Sequence, residues 1–195
     1  MRRLHPGRLP RWVLWYDNAK LKGKDESWED NLKRIFEFDS VEAFWGLFNN
    51  VMAPSMLSMG SNYHVFKDGI KPMWEDEANR EGGKFVLTVR QPEMGNLDEW
   101  WTHAVLAAIG EILEGEGGDE VCGLVLSLRP RQHRIALWTR SAEEGKAVPA
   151  AKRLKEALKA SAIYSLPGHL KLSFQMHDES IKTLSSFQNT SHFEV

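Results

Sequence analysis

The sequence predicts an α+β domain: one mainly antiparallel sheet with helices packed on one face. Three observations carry that prediction. Period-two alternation of apolar residues recurs in several short segments, whereas helical periodicity appears in three. The two kinds of segment do not alternate regularly, as a parallel βαβ fold would require. The length, 195 residues, fits one domain, and 42% hydrophobic with 27% charged residues is ordinary globular usage. A sheet covered by helices on one side leaves its other face open to a ligand.

Residues 11–17 read as a first short strand, and residues 18–31 as a polar loop in which Trp28 stands among charges. Residues 32–38 read as a second strand. Asp39 can cap the following helix, with Glu42 three residues on completing a capping box. Val41, Phe44, Trp45 and Phe48 fall at i, i+3, i+4 and i+7, one face of that helix. Residues 63–67 and 84–90 (KFVLTVR) are strands. A second helix over 97–113 carries Trp100, Trp101, Val105, Ala108, Ile109 and Ile112 on one side and stops at the Gly115 stretch. Residues 121–129 and 134–139 form a hairpin around Pro130-Arg131-Gln132-His133, with Pro130 outside the ladder. Pro149 suits the first turn of a third helix reaching Ala162, with a thin stripe of Ala151, Leu154 and Leu158. Leu170, Leu172, Phe174 and Met176 alternate with polar residues, a half-buried strand announced by Pro167-Gly168.

No apolar run approaches the roughly 18 residues of a membrane span. The start, MRRLHPGRLPRW, lacks the apolar core of a secretory leader. One cysteine, Cys122, permits no internal disulfide and reads as inert core. Together these predict a protein of the cytosol or nucleus. A net charge of −2 excludes coating nucleic acid by bulk charge. The charge is uneven, however. Residues 1–120 hold 14 basic and 21 acidic residues, whereas 121–195 hold 11 and 6. Phosphate contacts are therefore expected in the C-terminal third.

Eight tryptophans exceed what packing alone usually asks for. Trp28 and Trp74 each sit beside carboxylates and belong to no apolar stripe. Such an indole either plugs the surface or is presented for stacking; two of them suit a planar base held between rings. Glu75, next to Trp74, can accept the two N–H groups on one edge of a guanine. Arg129, Arg131 and Arg134 gather at the hairpin turn, either as a solvated tip or as a phosphate-binding cluster. Trp138, taken alone, reads as core. Glu75, Asp76 and Glu77 could hold a divalent ion as hard oxygen ligands, or simply line a turn. The seven histidines show no metal-ligand spacing, and nucleophile-elbow, phosphate-loop and dinucleotide motifs are missing.

The order of a Trp-bearing loop, FKDGIKPMWEDEANREGGKF, a Trp-Trp helix and VCGLVLSLRPRQHRIALWT resembles the eukaryotic translation initiation factor 4E family, the mRNA 5′ cap-binding proteins. The resemblance starts at His5-Pro6 and covers nearly the whole chain. It implies a strongly curved sheet with three helices on its convex face and the cap on the concave face, in a domain over residues 5–178. Residues 1–4 and 179–195 are then tails. It implies that Trp28 and Trp74 sandwich 7-methylguanine, that Glu75 pairs with the guanine edge and that Trp138 lies near the N7-methyl group. Arg129, Arg131 and Arg134 would face the triphosphate, with help from Lys84. Lys182, with Ser185 and Ser186, would close over the second nucleotide. N7 methylation makes the base cationic, which strengthens indole stacking by about 0.5–2 kcal/mol per ring.

The resemblance further implies a partner surface for a 4G-type scaffold or a 4E-binding regulator, using His5, Pro6, Val41, Trp45 and Leu106. The sequence departs there: Thr102 stands where the family usually has an apolar residue, and His103 where it usually has a carboxylate. Asn62 replaces an acidic residue common before the FKDG segment. The expectation is a monomeric, non-enzymatic cap-binding protein of translation initiation, with no cofactor, metal or membrane contact. The alternatives are a cap-binding repressor without the usual scaffold contact, and a Mg-dependent nucleotide hydrolase built on Glu75, Asp76 and Glu77.

Overall fold

Alternation along seven strands separates two sheet faces of different chemistry. The computed structural model describes residues 8–18, 27–90, 93–115, 118–160, 170–183 and 191–195. The strands are β1 (Arg8–Asn18), β2 (Lys33–Ser40), β3 (Ser61–Lys67), β4 (Gly83–Val89), β5 (Val121–Ser127), β6 (His133–Thr139) and β7 (Leu172–Met176). They form one sheet in the order β2-β1-β3-β5-β6-β4-β7, antiparallel throughout. The helices are α1 (Trp28–Asn31), α2 (Val41–Phe48), α3 (Leu97–Ile109), α4 (Glu144–Ala160) and α5 (His177–Thr183).

On one face Tyr63, Val65, Phe85, Leu87, Leu124, Leu126, Ile135 and Leu137 join Trp100, Trp101 and Val105 of α3 and Leu154 and Leu158 of α4 in the main core. The intervening residues point the other way. There Phe66, Val86, Val125, Ala136 and Trp138 form a smaller apolar cluster, with Trp74 against it. Gly123 on β5 makes this possible: a Cβ there would collide with the Phe66 ring. Residues of one strand thus serve core and open face in turn, which is the period-two rule.

Several local expectations change. Ser40, not Asp39, caps α2, its hydroxyl accepting from the Ala43 N–H at 3.2 Å. The strand continues through Asp39, so Ser40 is the residue that precedes the first helical turn. Within the polar loop expected over 18–31, residues 28–31 form a helical turn, because Ser27 and Asp30 build a reciprocal capping box. Helix α3 ends at Ile109 rather than near 113. The chain reverses at Gly110 and Glu111 (φ 57°), leaving Ile112 exposed and returning Leu113 to the core. Helix α4 starts five residues before Pro149, its first amides bonding the Glu143 carbonyl, so the proline lies inside it. The carbonyl that Pro149 cannot bond belongs to Gly145.

The segment expected as a polar C-terminal tail contributes α5 and a short run against β7. Leu172 N–H donates to Val195 C=O at 3.0 Å and Phe174 N–H to Phe193 C=O at 2.9 Å. The Phe193 ring stacks on Phe174 at 4.3 Å.

Candidate functional site

The face without the main core holds a cleft of about 710 Å³. Its indoles arrive by three routes. Trp28 projects from α1, the turn that the Ser27–Asp30 box creates, and is 37% exposed. Trp74 rides on the connection between β3 and β4. Asp76 fixes that connection by accepting from Lys71 N–H at 2.9 Å and Ala78 N–H at 3.0 Å. The fully buried Asn79 donates to the Lys71 and Met73 carbonyls, both at 2.8 Å. Trp138 comes from β6 and is nearly buried. Phe66 lies edge-on to it at 5.4 Å, and the His177 ring lies tilted against it at 4.1 Å. Burial pushes the His177 imidazole down to about 3, so a neutral ring backs the indole at physiological pH.

Trp28, Trp74, Glu75 and Trp138 line this one cleft together with Lys84, Arg129 and Arg134. Lys84 stands opposite Trp138 in the β4–β6 register, and Arg134 opposite Thr88. Burial holds Lys84 down at about 8, with the Arg134 charge adding to the effect. Burial also lowers Arg129 and Arg134, and Arg129 and Arg90 further lower Arg134. Three cations that burial and mutual repulsion disfavour make a wall that an anion would stabilise.

Other expected site residues lie elsewhere. Arg131 is exposed in the hairpin turn and does not line the cleft. Lys182 is exposed on α5, paired with Asp178 at 2.6 Å. His5, Pro6, Ser185 and Ser186 lie outside the described residues. Val41 and Trp45 are exposed on α2 (47% and 39%), so Trp45 is surface, resting on Phe44 and Phe48. Thr102, His103 and Leu106 are half-buried on α3. Thr102 lines a cavity of about 110 Å³ with Phe44, Leu47 and Phe48 of α2, and its hydroxyl donates to the Asp98 carbonyl at 2.7 Å.

Sequence reasoning missed Asp17 and His64 on the cleft wall and gave Asn62 no place in it. The signal was the polar alternation Asn62, His64 that leads to Phe66 on β3. The strand was expected to start only at 63, which hid it.

The sequence pattern of the family described as "Eukaryotic initiation factor 4E" matches residues 10–192. The chain belongs to the eukaryotic initiation factor 4E family. It is a non-enzymatic, cap-binding factor of translation. It is 42% identical over 183 residues to eukaryotic translation initiation factor 4E-1B of Danio rerio, covering 92% of this chain and 80% of that protein. Ascaris suum eIF4E-3, solved with an m7G cap, superposes with a TM-score of 0.78 at 32% identity, over 98% of each chain. C. elegans eIF4E-3, solved with the 4E-binding protein Mextli and a cap analogue, gives 0.77 at 34% identity, over 96% of this chain and 99% of that one.

The family assignment overturns the hydrolase alternative, and the geometry explains why the acidic run misled. Asp76 spends both oxygens on backbone amides, and Glu75 but not Glu77 lines the cleft. Among the described residues no group of three His, Cys, Asp or Glu side chains is placed to hold a metal ion. No helix among them is long and apolar enough to cross a membrane.

Proposed function

We propose that the cleft binds the 7-methylguanosine 5′ cap of mRNA and that the protein recruits capped mRNA to the translation initiation machinery. One observation carries this reading: an indole from α1, one from the β3–β4 connection, a third from the sheet, a carboxylate and three cations share one cleft of about 710 Å³.

In this reading Trp28 and Trp74 stack on the two faces of the methylated base. N7 methylation leaves a delocalised positive charge, so each indole contributes cation–π attraction as well as contact. Glu75 accepts from the N1 and N2 hydrogens, a charge-assisted pair strengthened by the cationic ring. Trp138 faces the methyl group. Lys84, Arg129 and Arg134 hold the phosphates, and the anion relieves the repulsion among them. Arg131 and Lys182 act from outside the cleft, on phosphates further along the RNA. The sheet curves around the base, and residues 5–178 form the binding unit, with residues 192–195 closing its β7 edge. Unmethylated guanine keeps the shape and loses the electrostatic gain.

The α2–α3 surface with Val41, Trp45, Thr102, His103 and Leu106 is the docking face for a 4G-type scaffold or a 4E-binding regulator, together with His5 and Pro6. The C. elegans relative bound to Mextli supports a partner of that kind. The protein works as a monomer in the cytoplasm and also in the nucleus. Tryptophan fluorescence titration with 7-methyl-GTP and GTP tests the reading. A strong preference for the methylated nucleotide is expected; equal affinities overturn it.

A further inference from the structure

We propose that Asp17, Asn62 and His64 form a buried relay that orients Arg129 toward the ligand's phosphates and so sets how much of the affinity phosphate supplies. The proposal rests on the cap reading of the cleft. Strand register creates the relay. Asp17 on β1 stands directly opposite Asn62 on β3, and His64, two residues along, shares its face. His64 Nε2 lies 2.6 Å from Asp17 Oδ2, the geometry of an imidazole N–H donating to a carboxylate. Asn62 Nδ2 donates to the other Asp17 oxygen at 2.8 Å. Arg129 Nη2 then donates to Asn62 Oδ1 at 3.0 Å, and its Nη1 to the Leu128 carbonyl at 2.8 Å.

The order of groups matters because an amide has two different ends. Asp17 accepts only, so it holds the Asn62 NH₂ toward itself and leaves the amide oxygen for the guanidinium. A flipped amide would set oxygen against carboxylate and NH₂ against guanidinium, two repulsive contacts. His64 in turn fixes Asp17, and the Trp28 ring lies edge-on to His64 at 6.4 Å. All three polar residues are buried, Asp17 to 1% exposure, on a face where Val86, Val125 and Ala136 show that apolar residues also fit. Burying a carboxylate and an imidazole there costs desolvation that packing alone does not require. Asn62 is also where the sequence departs from the acidic residue expected before FKDG. An acid at 62 beside Asp17 would place two carboxylates together and put a negative charge on Arg129. The neutral amide anchors Arg129 and adds no second negative charge to the one Asp17 already sets near it.

These are positioning residues, and the readout is the ratio of 7-methyl-GTP affinity to 7-methylguanosine affinity. Asn62→Leu and Asp17→Asn should each lower 7-methyl-GTP affinity about tenfold and leave 7-methylguanosine within about twofold. His64→Gln, which keeps an N–H donor, should change the ratio by less than about threefold. The exchange Asp17→Asn with Asn62→Asp keeps one carboxylate and one amide but sets the carboxylate directly against Arg129, and should leave the ratio low. If Asn62→Leu fails to fold, Asp17→Asn and the exchange decide. An unmoved ratio, an equal loss for both ligands, or an exchange that restores the wild-type ratio overturns the relay. Wild-type protein that does not prefer 7-methyl-GTP over GTP overturns the cap reading and the relay together. A preserved methyl preference with an unmoved ratio overturns the relay alone.

Discussion

The Lys71 ammonium meets the Glu29 carboxylate at 2.9 Å, tying the helical turn that carries Trp28 to the loop that carries Trp74. The two indoles otherwise come from segments more than 40 residues apart. Both partners are more than half exposed, so the pair is a weak strut, screened by salt. Lys71→Met should lower 7-methyl-GTP affinity by about two- to threefold at low salt, an effect that shrinks at high salt. A titration at two ionic strengths reads both numbers.

Trp28→Ala or Trp74→Ala should each lower 7-methyl-GTP affinity by about 1–3 kcal/mol, the usual loss for one stacking partner. Glu75→Gln should weaken 7-methyl-GTP more than GTP, because the carboxylate gains most from a cationic base. Trp74→Ala leaves the Asn79 and Asp76 contacts of its loop intact, so melting temperature should change little. Fluorescence titration paired with a thermal melt separates these outcomes.

Lys84 links phosphate binding to pH. Its ordinary value is 10.5 and burial brings it to about 8. A bound phosphate favours the ammonium and raises that value. Binding should then take up a proton, and the advantage of 7-methyl-GTP over 7-methylguanosine should be flat below pH 8 and fall above it. Stability runs the other way. Between about 8 and 10.5 the unfolded chain holds the proton that the folded chain has lost, so stability rises with pH across that window. Lys84→Met removes a buried charge that desolvation and the neighbouring Arg134 both disfavour. It should raise the melting temperature at neutral pH and abolish the pH dependence of the phosphate advantage.

Trp45 is exposed and lies on the helix face away from the cleft. Trp45→Ala should weaken a 4E-binding helical peptide by at least ~2 kcal/mol. The same variant should keep 7-methyl-GTP affinity within about threefold, since coupling across the sheet stays below roughly 1 kcal/mol. Isothermal titration of each ligand against wild type and variant checks this.

Elements set by neighbours in sequence were legible. The β5–β6 hairpin needs only two apolar runs and Pro130 between them. The main stripe of α3 needs only its period. Details that depend on competing local partners were not. Asp39 and Ser40 are both good caps, and the length of β2 chose between them. Pro149 reads as a first-turn residue unless the turn ahead of it is known to form. In the site, Trp28, Trp74 and Glu75 stood out because apolar and acidic residues rarely adjoin without reason. Asp17 and His64 did not, because their contact spans 47 positions and exists only through the β1–β3 register. The burial of Lys84 was equally hidden, since a strand's pattern does not say which of its faces a loop will cover.

Pairing of residues 192–195 with β7 has a consequence for how the chain behaves in company. An uncovered outer strand offers N–H and C=O groups to any other chain, and apolar rings beside it turn that offer into clumping. Here Phe193 lies flat on Phe174, beside Phe85, and the backbone groups of Leu172 and Phe174 are already taken. Deleting these residues would do more than loosen a tail: it would unmask a sticky seam next to the Phe174 and Phe85 rings. Loss of solubility, ahead of any loss of ligand affinity, is the first defect to look for in such a truncation.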